Sequence, residues 1–343
     1  MTDSTTMTNS RSTQSKDPAP EKRRKFADTL RVIAPWGTVA SLGLLVIVFG
    51  ILKPDPFLTS NNLKIIASES ALLGIVAAGL TLVLISWDFD LSVGAMASLA
   101  GITTALLLRE GLPLFAAILM PILLGAVIGL VNGLLVARLR VSAFIATLAM
   151  LTILGGIADW WTHSSSVPIN NATFNSLDVM SVLGIPLPTF VAIVVFVGLW
   201  VLLERTRPGR LLYAVGANPE AAYIAGISVR TVRICAFVGA AMFAAVAGVL
   251  LASRLSGGYL DAGEPFLLQA FAAVFLGAVT IRPGRVDMLG TAVGILVLAV
   301  LRNGLNILGW EAWLVQVVTG VILVASVAAA GLNRSGASGP QKL

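Results

Sequence analysis

The chain has 343 residues, of which 57% are hydrophobic and only 12% charged, with a formal net charge of +6. Soluble domains carry about a quarter charged residues, so a mean hydropathy of +0.92 makes lipid the main solvent and leaves no room for a large soluble domain. The basic excess is distributed among loops rather than gathered in one patch, which argues against nucleic acid as a partner.

Residues 1–33 are polar and rich in Ser and Thr, and turn basic at Lys22, Arg23, Arg24, Lys25 and Arg31. They read as a disordered basic cytoplasmic tail. No small-residue cleavage site follows the first apolar run, so that run is read as a retained helix and not as a signal peptide. Ten spans are then expected, at 34–52, 63–85, 90–108, 113–137, 144–161, 187–204, 231–253, 266–281, 286–304 and 312–332, since about 20 apolar residues cross a bilayer as a helix. The fold class is thus all-α and membrane-embedded, with a transmembrane domain over 34–332 and a short tail over 333–343.

Loop charge orients these spans. With the N-terminus inside, the inside segments hold 18 of the 23 Lys and Arg residues, as expected for cytoplasmic loops. Lys53, Lys64, Arg109, Arg254 and Arg302 are the five left over. Both termini are therefore expected in the cytoplasm. Two loops exceed a turn: an outside stretch over 162–186 and an inside stretch over 205–230.

An internal repeat is suggested by two anchors with one offset. Asp90 lies where the third span begins and Asp261 just before the eighth, 171 residues apart; Asn132 and Asn303 lie at the ends of the fourth and ninth at the same separation. A duplicated unit of five spans would enter the membrane from opposite sides, the inverted-repeat design of many transporters.

Some chemistry is missing. There is one His, one Cys (Cys235) and no G-x-x-x-x-G-K-[ST] phosphate loop, so neither a metal cluster nor an ATP site is expected in this chain. No nucleophile–base pair stands out, and the chain is not read as an enzyme. Gly125, Gly129 and Gly133 recur every four residues, as do Gly290 and Gly294, which marks faces for close helix packing. Asp90 and Asp261 could line a solute path or cap helices. Asn132 and Asn303 could bond solute hydroxyls or pin neighbouring helices. Thr147, Gln269 and Gln316 are further polar candidates.

The inside stretch carries its own helix signals. Asn218 suits an N-cap, Pro219 the first helical position, Glu220 the positive end of the dipole and Gly226 a left-handed stop. Such a helix could dock in a partner's groove or simply connect two spans.

The run Thr206-Arg207-Pro208-Gly209-Arg210, followed by Ala214-Val215-Gly216-Ala217-Asn218-Pro219-Glu220-Ala221-Ala222, resembles the coupling loop of ABC importer permeases. The resemblance is to the monosaccharide branch, with its ribose, xylose and arabinose permeases. Asp88-Phe89-Asp90-Leu91-Ser92-Val93-Gly94 is similar to that family's I-D-L-S-V-G stretch, Ala143-Phe144-Ile145-Ala146-Thr147-Leu148 to its P-F-I-x-T-L stretch, and Ala272-Ala273-Val274-Phe275-Leu276-Gly277 to its A-A-V-x-x-G stretch. The similarity runs in order from about residue 35 to 332. Two departures stand out: Trp87-Asp88 where the family usually has Gly-Gly, and Ile281-Arg282-Pro283-Gly284-Arg285 in place of a glycine-rich stretch.

The resemblance implies a subunit of a bacterial inner-membrane importer for a small polar solute, most of all a monosaccharide, working by alternating access. A dimer with itself or a sister permease, a cytoplasmic ABC ATPase that binds ATP and Mg2+, and a periplasmic solute-binding protein would complete it. Arg207, Arg210, Asn218, Pro219, Glu220, Ala221, Ala222 and Gly226 would meet the ATPase. Asp90, Asn132, Phe144, Thr147, Asp261, Gln269 and Asn303 would lie along the solute path. An ion-coupled secondary transporter, or an ABC permease for branched-chain amino acids or nucleosides, are the alternatives.

Overall fold

The computed structural model describes residues 38–279 and 285–335, with side chains as far as residue 328. The expected tail over 1–33, the start of the first span, residues 280–284 and the end of the C-terminal tail lie outside the described residues.

Helices make up most of the described residues. α1 covers Thr38–Leu52 and α2 is the single turn Pro54–Phe57. There follow α3 (Ser60–Ile85), α4 (Val93–Arg109), α5 (Leu114–Ala137), α6 (Ala143–Thr162), the short α7 (Ala172–Asn175) and α8 (Leu187–Arg205). α9 (Arg207–Ala217) and α10 (Pro219–Ile224) form the connection to α11 (Val229–Leu255), and α12 (Glu264–Ala278), α13 (Met288–Ile307) and α14 (Ala312–Ser335) complete the order. Among the described residues six helices are long and apolar enough to cross a membrane, namely α3, α5, α6, α8, α11 and α13, and α1, α4, α12 and α14 give shorter apolar stretches.

Composition explains which helices are inside. From Ala71 to Ile85 every residue of α3 is buried; a helix apolar on all sides belongs in the centre of a bundle. α11 is rich in Ala and Gly, so its backbone can approach others closely. α5 uses this: a Cβ on Gly125, Gly129 or Gly133 would lie 2.7, 2.5 or 2.8 Å from the backbone of α11. Gly290 and Gly294 lie in the same way against Gly277 and Ala273 on α12. These are the glycine faces that the four-residue spacing indicates. α5, α6 and α8 keep exposed large apolar side chains such as Leu123, Ile153 and Val197, as a lipid-facing surface requires.

The expected all-α fold has a small exception. The 162–186 loop contributes β1 (Val167–Pro168), which pairs antiparallel with β4 (Gly257–Gly258), and a hairpin of β2 (Ser181–Val182) and β3 (Ile185–Pro186). β1 and β4 tie that loop to the one before α12. Arg254, 3.0 Å from Asp178 and 2.7 Å from Ser68 Oγ, holds the same corner.

Candidate functional site

Two places concentrate the chemistry. The first is the connection from α8 to α11. Thr206 turns the chain from α8 into α9, and Gly209 packs where any side chain would strike the backbone of Leu203. Gly216 is pressed against the carbonyl of Ile85, which fixes α9 to the end of α3. Asn218 then caps α10: its Oδ1 accepts from the amides of Glu220 and Ala221, each at 3.0 Å. Pro219 is the first helical residue. At the other end the Ile227 amide donates to Ala222 O and the Gly226 amide to Tyr223 O, with Gly226 at φ +80°. This double bond pattern is the glycine-terminated stop that the sequence signals. Where one short helix was expected, the connection holds two.

α10 exposes an apolar tip. Ala222 is buried, while Tyr223 and Ile224 are 74% and 85% exposed. A groove of about 860 Å³ beside it is lined by Arg140, Glu220, Tyr223, Ile224 and Arg230 among others. Arg207 and Arg210 are exposed on α9. Arg285 stacks on the Tyr213 ring at 3.7 Å and pairs with Glu204 at 3.3 Å. Burial pushes the Tyr213 phenol pKa up, and the Arg285 charge on its ring opposes that.

The second place is the loop between α3 and α4. Helix α4 starts at Val93, three residues later than the expected span, so Asp90 is not the N-cap. Its Oδ1 accepts from the Ser92 amide at 2.9 Å and the Ser92 hydroxyl at 2.6 Å. Asn132 Nδ2 on α5 donates to that same hydroxyl oxygen at 3.0 Å, and Thr147 on α6 reaches Phe89 O at 3.3 Å. Asp90 and Asn132 are fully buried, and Asp90 Oδ2 and Asn132 Oδ1 have no hydrogen-bond partner among the described residues. Just before them Asp88 accepts two bonds from Arg233 on α11, one at 2.7 Å, and a third from Ser86 at 3.2 Å.

The seven solute-path candidates therefore do not share one lining. Asp90, Asn132 and Thr147 meet around this loop, and Phe144 is exposed one turn before Thr147. Asn303 pins helices: its amide and that of Asn62 on α3 bond each other reciprocally, at 2.9 and 3.0 Å. Asp261 is exposed in the loop before α12, and Gln269 accepts from Arg302 at 2.6 Å in a separate cleft. Sequence reading passed over Asn62, Arg302 as a site residue and the Asp88–Arg233 pair. Arg302 had left a signal, a charge inside an expected span.

Comparison with known proteins adds an independent line. Residues 62–327 match the family described as the branched-chain amino acid transport system / permease component. The ribose import permease of Bacillus subtilis strain 168 is 36% identical over 309 residues, covering 90% of this chain and 95% of the relative. The D-allose transport system permease of Escherichia coli K12 is 33% identical over 294 residues, 85% and 90% of the two chains. The L-arabinose transport system permease of the same strain is 32% identical over 297 residues, 87% and 90%. No solved structure matches the chain. With its apolar helices and these relatives, the chain belongs to the permease-component family of ABC importers, in the branch that holds the ribose, allose and arabinose permeases.

Proposed function

We propose that this chain is the membrane permease of an importer that brings a monosaccharide into the cytoplasm by alternating access, driven by ATP hydrolysis in a partner chain. The observation that carries the reading is the capped helix α10 with its exposed Tyr223 and Ile224 tip, on a chain about a third identical to sugar permeases. A short helix fixed at both ends transmits force, and an apolar tip beside a groove fits a partner's surface. Asn218, Pro219, Glu220, Ala221, Ala222 and Gly226 build that helix, and Arg207 and Arg210 border it. The partner would be a cytoplasmic ABC ATPase holding ATP and Mg2+, with a periplasmic binding protein at the opposite face and a second permease copy or sister permease beside this one.

In this reading all ten apolar helices span the inner membrane, both termini are cytoplasmic, and the spans form two inverted units of five. Packing supports the inversion. The starts of α3, α4, α5 and α6 precede those of α11, α12, α13 and α14 by 169 to 174 residues. α4 packs on α5, α6 and α11, and α12 packs on the equivalent α13, α14 and α3. α4 and α12 also begin side by side, since a Cβ on Gly94 would lie 2.9 Å from Gly263 O. Helices that start within the bundle beside a pseudo-two-fold axis are where transporters place their solutes.

The test is purification of the full chain from its native membrane in mild detergent, with mass-spectrometric stoichiometry. An ATPase chain is expected to co-purify, and Ile224→Asp is expected to remove it without reducing the permease yield. A chain that purifies alone from native membrane and in lipid nanodiscs refutes the reading. The family description favours one second reading, a branched-chain amino acid as the solute. Competition of uptake by unlabelled leucine against unlabelled pentoses and hexoses separates the two.

A further inference from the structure

Arg302 lies within the apolar helix α13, five residues before its last residue, Ile307. Its guanidinium donates to Gln269 Oε1 on α12 at 2.6 Å. Both line a cleft of about 530 Å³ between α12, α13 and α14, together with Glu264, Asn306, Gln316 and Thr319. The cleft starts at Asn306 and Ala312, beside the α13–α14 turn, and extends along α14 to Leu323. Eleven residues of helix are about 16 Å, half the thickness of a hydrocarbon core. The α13–α14 turn is at the bundle end opposite α10, since α13 starts beside Val286, Tyr213 and Gly216.

This cleft is more than a gap between helices. A guanidinium within an apolar helix is costly unless water or polar groups meet it, and the side chains lining this cleft supply such groups. The side chains from three helices converge on it, which helix packing alone does not require. Its charge is balanced: one guanidinium and one carboxylate accompany three amides and a hydroxyl. Thr319 gives its own proton to Val315 O at 2.8 Å, which leaves its oxygen free to accept. Alternating donors and acceptors suit vicinal hydroxyls, whereas a net anion would face Glu264 and a net cation would face Arg302. The volume falls within the range of small-molecule pockets.

We infer that this cleft receives the solute on the side opposite α10, and that it selects a neutral polyhydroxylated molecule over a sugar acid, with Arg302 and Gln269 as paired contacts. The inference rests on the import reading above and adds the place and the charge rule.

Gln316 is exposed, so its replacement leaves the packing intact. In the full chain with Cys235→Ser, Gln316→Cys is treated in intact cells with methanethiosulfonate ethylsulfonate, which does not cross membranes. Modification is expected, and at least one of D-ribose, D-xylose, L-arabinose and D-allose should slow it about tenfold, since a ligand at about ten times its dissociation constant leaves about a tenth of sites open. D-Gluconate should not slow it. Arg302→Gln should lower uptake of the protecting sugar about tenfold, the loss expected from one charge-assisted hydrogen bond. A cysteine that reacts only with membrane-permeant maleimide overturns the proposal. So does modification that none of the four sugars slows, or that gluconate slows equally. If no ATPase co-purifies but the sugar protects, the import reading falls and the cleft stands; the reverse pattern removes the cleft alone.

Discussion

Asp88 shows how one side chain can tie a loop to a helix far along the chain. The resemblance puts glycine at this position, and glycine has nothing to offer Arg233. Here the carboxylate is buried, with 6% of its side chain exposed against 28% for the arginine, and it holds the α3–α4 loop to the first turns of α11. Breaking a largely buried ion pair leaves a charge without its partner. Asp88→Ala should destabilise the protein by about 2 kcal/mol, seen as a lower unfolding temperature in detergent. A double-mutant cycle with Arg233→Ala should return a coupling energy of about 1–3 kcal/mol; additive effects would show that the pair contributes nothing. The sequence marks Asp88 only as a departure from a pattern. Its partner lies 145 residues away, and no local rule names it. Asn62 and Asn303, 241 residues apart, are the same case: a buried amide must find a partner, but which one depends on the packing of α3 against α13.

Elements were more legible than side-chain partners. The glycine repeat on α5 was visible as a spacing, and its contact with α11 follows from the absence of Cβ atoms. Gly129→Leu should drive side-chain atoms into the Phe237 carbonyl, now 2.5 Å from an added Cβ, and cost about 3 kcal/mol or more. Gly198→Leu on α8, with nothing within 4 Å, should change little. Fluorescence-detected size exclusion of tagged variants compares the two yields directly. α10 was equally legible, because Asn-Pro-Glu at the start and Gly at the end are local capping chemistry. α9 went unrecognised as a helix because Pro208 and two glycines obscure its pattern, although Pro suits the first turn. Sequence places the start of α4 three residues before Val93, because Asp90 and Ser92 bond each other in a turn that looks in sequence like a cap.

At the scale of the molecule, orientation is the first property to test. A phosphatase domain inserted at Gly111 should be active, and a fluorescent protein inserted at Gly226 should fluoresce; both sites are positive-φ turns with free space around them. The opposite result at both would invert the bundle and place α10 outside, where no ATPase could reach it. Hydropathy, loop charge and the capping residues of α10 were readable from the chain alone, because each is a property of a few neighbouring residues in contact with lipid, water or their own backbone. Only the tertiary structure decided which helices lie at the centre, that α4 and α12 start side by side, and that Gln269 meets Arg302 while Asn303 meets Asn62. Those outcomes depend on how closely the helices pack, and distance between residues far apart in the chain is set by packing and not by composition.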